Sequence, residues 1–310
     1  MWQKNLIKKG LSWVVVLAIF VYLVSKLLSS WSKINFNDFS FNYFYLFLSV
    51  FFWGLGIGWL GICWKKIANF LEPKNDLSYF QAIRLSFYSW IGRYIPGKVF
   101  QVFGMTSFVK TTKFSKENLW LSSVIQVLFS VIAMVLVSLL FLIFLGAGYG
   151  VEVLIFFLAL SAIALIIIFY PKVFNFFVKI FFEKILRKKD VEVFKFGFKE
   201  KFLAIVYLSM APVLRGIGFF FLLKSLFVLP INSFGIIVGV FVFSITAGSL
   251  AMFAPAGLGV KEGFLVLSLK WLFPIETAIL ISFLAMFWSL ALDILFWGVA
   301  FIIGKIKIKE

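Results

Sequence analysis

Apolar residues run along this chain in long stretches, and charged residues gather in the intervals between them. A helix crossing a bilayer needs about 20 apolar residues at ~1.5 Å of rise each. Stretches long enough for full crossings fall at 11–28, 43–63, 118–146, 151–170, 201–228 and 275–303. Two further apolar segments, 81–110 and 233–270, are interrupted near their middles, leaving limbs expected to be too short to cross alone. The pattern predicts an all-α integral membrane protein with about six full transmembrane helices and two re-entrant, broken-helix hairpins. Non-helical backbone at membrane depth is tolerated only where protein buries it or where it lines a wet cavity.

The first interruption lies in WIGRYIPGKVFQVFGM (90–105), where Arg93 and Lys98 flank Pro96 and Gly97. Proline lacks a backbone N–H and disfavours helix at the preceding residue, so the helix is expected to stop near Ile95 and restart at Lys98. The second lies in AMFAPAGLGVKEGFLVL (251–267), where Pro255, Gly257 and Gly259 break the run and Lys261 and Glu262 follow at once. A restarted helix points free backbone donors and the positive end of its dipole at the break. With cations beside it, such a break suits an anion held inside the membrane.

Composition narrows the class. Hydrophobic residues make up 63% of the 310, a balance no soluble domain of this size has. The net charge of +17 raises the question of nucleic acid, and its placement answers it. With the N-terminus in the cytoplasm, Lys26, Lys33 and Lys270 fall outside, while Arg93, Lys98, Arg215, Lys224 and Lys261 lie at membrane depth. Every other basic residue is then cytoplasmic, a positive-inside bias that accounts for the charge without nucleic acid. It predicts a multi-pass protein of the cell (inner) membrane with both termini cytoplasmic, provided that neither hairpin makes a net crossing. MWQKNLIKKG, ahead of an apolar run, has the charge of a signal peptide without a clear small-residue cleavage site, and is read as leading into a retained first helix. A lone cysteine, Cys63, and the lack of histidine remove disulfides, cysteine metal clusters and the commonest general base, so no metal, cofactor or enzymatic chemistry is expected.

The layout also repeats. The span at 43, the break at Pro96 and the span at 118 are matched at a nearly constant interval by 201, Pro255 and 275. Three full crossings separate the two starts, so 43–146 and 201–303 are expected to be inverted repeats within a single domain, 1–310. Between them, Phe174, Phe177, Phe181 and Ile185 share a helical face opposite Lys172, Lys179 and Lys184, which predicts a cytoplasmic interfacial amphipathic helix and loop over 171–200. Gly54 and Gly58, at i,i+4 spacing, are read as a helix-packing pair.

Cations buried in hydrocarbon are costly and need a reason. Arg215 stands deep in its span with no acid at i±3 or i±4, as a site residue or as the partner of Asp293. Arg93 and Lys98 either snorkel from a shallow hairpin or hold an anion. Glu262 either caps the first turn of the restarted helix or carries a coupling proton. Asp293 either balances Arg215 or Lys261 or carries a proton.

GRYIPGKVFQ and PAGLGVKEG together resemble the paired signatures of the lysylphosphatidylglycerol synthase transmembrane (flippase-like) family, which includes the membrane half of the multiple peptide resistance factor. The resemblance covers nearly the whole chain and carries over Arg93, Pro96, Gly97 and Lys98, together with Pro255, Gly257, Gly259, Lys261 and Glu262. It departs from the family pattern at Gln126, where an acid is common, and in FWSLALD, where a basic residue is frequent. It implies movement of an anionic or aminoacylated lipid, or of a polyprenyl-phosphate carrier, between leaflets, without the aminoacyl-transferase chemistry that makes such a lipid.

The resulting expectation is a lipid translocase. Its anion site is built from Arg93, Lys98, Arg215 and Lys261, its partners are an anionic lipid and the bilayer, and oligomer formation is left open. The rival readings are a transporter of a small soluble anion, a membrane partner of a lipid or glycan biosynthetic enzyme, and an intramembrane transferase, for which Glu262 and Asp293 supply few carboxylates.

Overall fold

The structure is a computed structural model that describes residues 40–73, 77–94, 116–145, 151–170, 197–251 and 254–306, with isolated positions in 21–29 and 172–176. Most of the expected first span, 11–28, and most of the amphipathic segment 171–200 lie outside the described residues. The fold is all-α: 89% helical, with no strands among the described residues.

Helix α1 (Tyr43–Leu71) opens on Asn42, whose side-chain oxygen accepts from the N–H groups of Phe44 (3.0 Å) and Tyr45 (3.3 Å). Helix α2 (Tyr79–Trp90) opens on a reciprocal capping box. Ser78 Oγ accepts from Gln81 N at 3.2 Å, and Gln81 Oε1 accepts from Ser78 N at 2.9 Å. It then tightens into a 3₁₀ turn, Ile91–Tyr94. Helices α3 (Lys116–Leu145), α4 (Val151–Phe169) and α5 (Phe198–Leu226) follow. Helices α6 (Phe234–Leu250) and α7 (Val260–Leu269) flank a 3₁₀ turn, Pro255–Gly257, and α8 (Ile275–Ile306) ends the described chain.

Five stretches are long and apolar enough to cross a membrane: Tyr43–Leu71, Asn118–Ile143, Phe198–Leu226, Ile231–Leu250 and Ile275–Gly304. Four fall in predicted full spans, and α4 takes the place of the span at 151–170. The fifth corrects an expectation. The first limb of the second hairpin reaches 20 residues because its apolar sequence continues unbroken from Ile231 to Leu250. The second limb, α7, is too short to cross at 10 residues, as is α2 of the first hairpin at 12.

Side-chain contacts set the directions of the helices. Helix α5 runs antiparallel to α1: Trp59 Nε1 donates to Tyr207 O at 2.7 Å, while Gly218 packs on the Ser49 carbonyl. Helix α2 lies antiparallel on another side of α1, with Ser86 Oγ donating to Ile57 O at 2.8 Å. Helix α6 runs antiparallel to α5, through Gly216 on Val238 and Phe220 on Phe234. Helix α7 folds back along α6, bringing Lys261 to Gly248 and Phe264 to Phe243.

The close backbone approaches involve glycines other than the expected pair. A Cβ on Gly61 would lie 2.5 Å from Ala82 O, and one on Gly56 3.0 Å from Ala211 O. Gly54 instead faces the Phe296 ring, and Gly58 faces Ile83 and Phe87 side chains. The consequence for the centre of the molecule is direct. Helix α2 arrives from the end that carries Leu71, α6 and α7 arrive from the opposite end, and the turn Ile91–Tyr94 touches the turn Pro255–Gly257. The outer faces carry exposed Phe47, Phe51, Phe156, Ile163, Phe287 and Ile302, as hydrocarbon contact requires. The chain is a multi-pass membrane protein.

Candidate anion-binding site

The second break is built by backbone conformation. Gly257 (φ 74°) and Gly259 (φ 80°) occupy the region that glycine enters freely, and Ala256 (φ 51°) is held there as well. Gly257 also has no room for a side chain, because a Cβ there would lie 2.6 Å from Gly248 Cα. Pro255 opens this turn, and α7 restarts three residues after Gly257. Glu262 then reaches back, its Oε2 accepting from Gly259 N at 2.7 Å, which satisfies one of the free donors at the helix start. Its other oxygen stands 3.3 Å from Lys261 Nζ. The neighbours Lys261 and Glu262 therefore pair with each other. Lys261 Nζ also lies 3.4 Å from Ser289 Oγ, one turn before Asp293 on α8.

Asp293 is the hub of the first break. Its Oδ1 accepts from Trp90 Nε1 at 3.0 Å and from Trp53 Nε1 at 3.3 Å. Its Oδ2 accepts from Arg93 Nη2 at 2.5 Å and from Tyr94 OH at 2.8 Å. Four donors from α1, α2 and the adjoining turn thus converge on one carboxylate of α8, the arrangement that makes a buried ion pair tolerable. The expected partners of Asp293 were Arg215 or Lys261. The residue found there is Arg93, because the 3₁₀ turn after Trp90 points Arg93 and Tyr94 at α8 together.

Arg215 is placed differently. It is 5% exposed, its guanidinium carbon lies 5.0 Å from the centre of the Trp90 ring, and its Nε has no hydrogen-bond partner among the described residues. No acidic group within ion-pair distance of it is found among them. On Trp90 it is joined by Arg93, whose guanidinium carbon lies 4.9 Å from the same ring.

A cavity of about 100 Å³ lies at this level, walled by residues of α1, α2, α3, α5, α6 and α7. Its charged lining residues are Arg93, Arg215 and Lys261, with Ser86, Ser89, Gln126, Ser130 and Ser249 as polar companions. Glu262 and Asp293 stand behind the wall. Pockets that enclose whole small molecules run to about 300–1,000 Å³, so this cavity is smaller than a site that encloses one. Of the residues read from the sequence, Arg93, Arg215 and Lys261 line the cavity, while Pro255, Gly257 and Gly259 shape the break from which α7 starts. Pro96, Gly97 and Lys98 lie outside the described residues.

Sequence reasoning missed Trp53, Trp90, Tyr94 and Ser289. Trp90 and Tyr94 carry a local signal, since they bracket Arg93 in WIGRY. Trp53 and Ser289 carry none that separates them from other membrane-helix residues.

The family model described as the lysylphosphatidylglycerol synthase TM region matches residues 10–296, which takes in both breaks and Asp293. No curated protein and no solved structure matches the chain. By that match over most of its length, the chain belongs to the lysylphosphatidylglycerol synthase transmembrane-region family.

Proposed function

We propose that the protein moves an anionic lipid between membrane leaflets by holding its headgroup in the cavity between the two breaks. The observation that carries this reading is the charge imbalance of the wall: Asp293 and Glu262 are engaged with Arg93 and Lys261, and Arg215 has no acidic partner among the described residues. A buried cation without a countercharge costs several kcal/mol, and an incoming phosphate offsets that cost at the moment it binds. Guanidinium and ammonium donors of Arg93, Arg215 and Lys261 around the cavity disperse the headgroup charge, and desolvation of that charge is the main barrier to an unaided flip.

In this reading the protein is not an enzyme and needs no cofactor. It sits in the cell membrane with both termini cytoplasmic, and its two broken hairpins act as inverted repeats that expose the cavity to alternate faces. Phospholipid, aminoacyl-phospholipid and polyprenyl phosphate share the phosphate on which the site acts.

The test is translocation of fluorescent phosphatidylglycerol in proteoliposomes, with fluorescent phosphatidylcholine as the neutral comparison. Faster movement of the anionic lipid, abolished by Arg215→Gln, supports the reading. Equal rates for the two lipids, or an anionic rate untouched by Arg215→Gln, would overturn it. Uptake of soluble phosphate without lipid movement would reassign the cavity to a small-anion transporter.

A further inference from the structure

The cavity does not end the seam between α1 and α5. Toward the end of α1 that carries Leu71 lies a second pocket of about 300 Å³, lined on α1 by Cys63, Lys66 and Phe70 and on α5 by Glu200, Ala204 and Tyr207. Its α5 residues recur at intervals of three and four, and the same stripe runs on through Leu208, Ala211 and Pro212 to Arg215 in the cavity. On α1 the stripe Phe70, Ile67 and Cys63 continues likewise to Leu60 of the cavity wall. From Glu200 to Arg215 the track rises about 22 Å at ~1.5 Å per residue. The two spaces are therefore in line along one face of each helix. Leu208, 1% exposed, belongs to the lining of both.

The outer pocket is two-sided. Lys66 is exposed, and its Nζ stands 3.7 Å from the centre of the Tyr207 ring. Glu200 turns its carboxylate back toward Gly197 at the start of α5. Phe70 and Leu203, 42% and 41% exposed, carry the lining outward as hydrocarbon. A lysine beside an open apolar flank suits a phosphate whose attached chains remain in the bilayer.

The partition sits where α5 is weakest. Pro212 has no N–H to offer the carbonyl four residues before it, that of Leu208, so the helical ladder is interrupted there. Beyond Pro212, α5 is fixed by Gly216 against Val238 and by Gly218 against the Ser49 carbonyl. Before it, Phe202, Leu203, Val206 and Met210 are exposed, and the Trp59–Tyr207 hydrogen bond ties this half to α1. Bending at Pro212 displaces Leu208 while Arg215 stays on the anchored half.

We propose that the outer pocket is a receiving site in which Lys66 holds a phosphate headgroup on its way to Arg215, with Leu208 as the gate between the two positions. The proposal rests on the lipid reading above and names the route by which the headgroup reaches the cavity.

The test is cysteine modification in phosphatidylcholine proteoliposomes. Cys63 is the sole cysteine of the chain, so Cys63→Ser gives a cysteine-free background. In it, Ala204→Cys reports on the outer pocket and Ser130→Cys on the cavity. The probes are an anionic methanethiosulfonate and a neutral one. Leu208→Ala is expected to speed modification of the cavity thiol several-fold and to leave the rate at the pocket thiol unchanged. Lys66→Gln, at an exposed position that spares the fold, should slow the anionic reagent at both thiols and leave the neutral reagent unaffected. A cavity thiol indifferent to Leu208→Ala, or anionic rates indifferent to Lys66→Gln, overturns the proposal. Phosphatidylglycerol added to the bilayer should protect the pocket thiol, and inorganic phosphate should not. Protection by inorganic phosphate in place of the lipid upholds the route and defeats only the lipid reading, whereas protection by neither overturns the receiving site.

Discussion

Arg93 and Arg215 press on the same indole, with guanidinium carbons 4.9 and 5.0 Å from the centre of the Trp90 ring. One of them is neutralised: Arg93 reaches Asp293, and the Trp90 N–H reaches the same carboxylate. The other depends on the aromatic face, an attraction of about 0.5–2 kcal/mol that does not repay the burial of a full charge. This asymmetry separates fold from function. The Arg93–Asp293 pair joins α8 to the first break, whereas Arg215 faces the cavity and is the residue to which the proposed function assigns the headgroup.

Replacing Arg215 with glutamine removes a buried charge that has no ion-pair partner among the described residues, together with its repulsion from Arg93. Thermal unfolding in detergent is expected to show an unchanged or raised melting temperature, while anionic-lipid movement is lost. A large fall in melting temperature would show that Arg215 is structural.

Replacing Asp293 with asparagine keeps the shape but leaves Arg93 buried without its partner, a cost of about 3–5 kcal/mol. The double variant Arg93→Gln/Asp293→Asn should be less destabilised than the sum of the single changes, because the two residues share one interaction. Additive losses in melting temperature across that cycle would deny the pairing.

The second break supplies an opposed pair of glycines. Gly257 has φ 74° and a Cβ there would meet Gly248 backbone at 2.6 Å, so Gly257→Ala should sharply lower stability and yield. Gly263, in the middle of α7, has nothing within 4 Å of its Cβ position. Gly263→Ala is therefore expected to stabilise by about 0.5–1 kcal/mol through helix propensity. Melting curves of the two variants should move in opposite directions.

Glu262 performs two tasks that substitution can separate. Glu262→Gln keeps an acceptor for Gly259 N and loses the charge beside Lys261, whereas Glu262→Ala loses both. The alanine variant should be the less stable by about 1 kcal/mol, the usual value of a helix-start cap. With Lys261 released from its partner in both variants, phosphatidylglycerol should be retained more tightly by each, as measured by lipid co-purification.

Much of this was legible in the sequence because membrane helices are written in long apolar runs and their breaks in proline and glycine. Arg93, Arg215 and Lys261 stood out because a cation in an apolar run has no local excuse. What stayed hidden was long-range. Arg93 and Asp293 lie 200 residues apart, and nothing in either neighbourhood favours that pairing over Arg215 with Asp293. The choice follows from the 3₁₀ turn after Trp90, a backbone detail of four residues. Which packing glycines meet backbone stayed hidden for a related reason. Gly54, Gly56, Gly58 and Gly61 all lie on α1, and only the positions of α2, α5 and α8 decide which of them meets backbone and which meets a ring.

The most direct measurement is mass spectrometry of the lipids that co-purify with the wild-type protein and with Arg215→Gln. An anionic lipid enriched on the wild type above its share of the membrane, and lost from the variant, is the expected result and identifies the cargo's headgroup. Bulk lipid in bulk proportions on both proteins would contradict an anion site at Arg215.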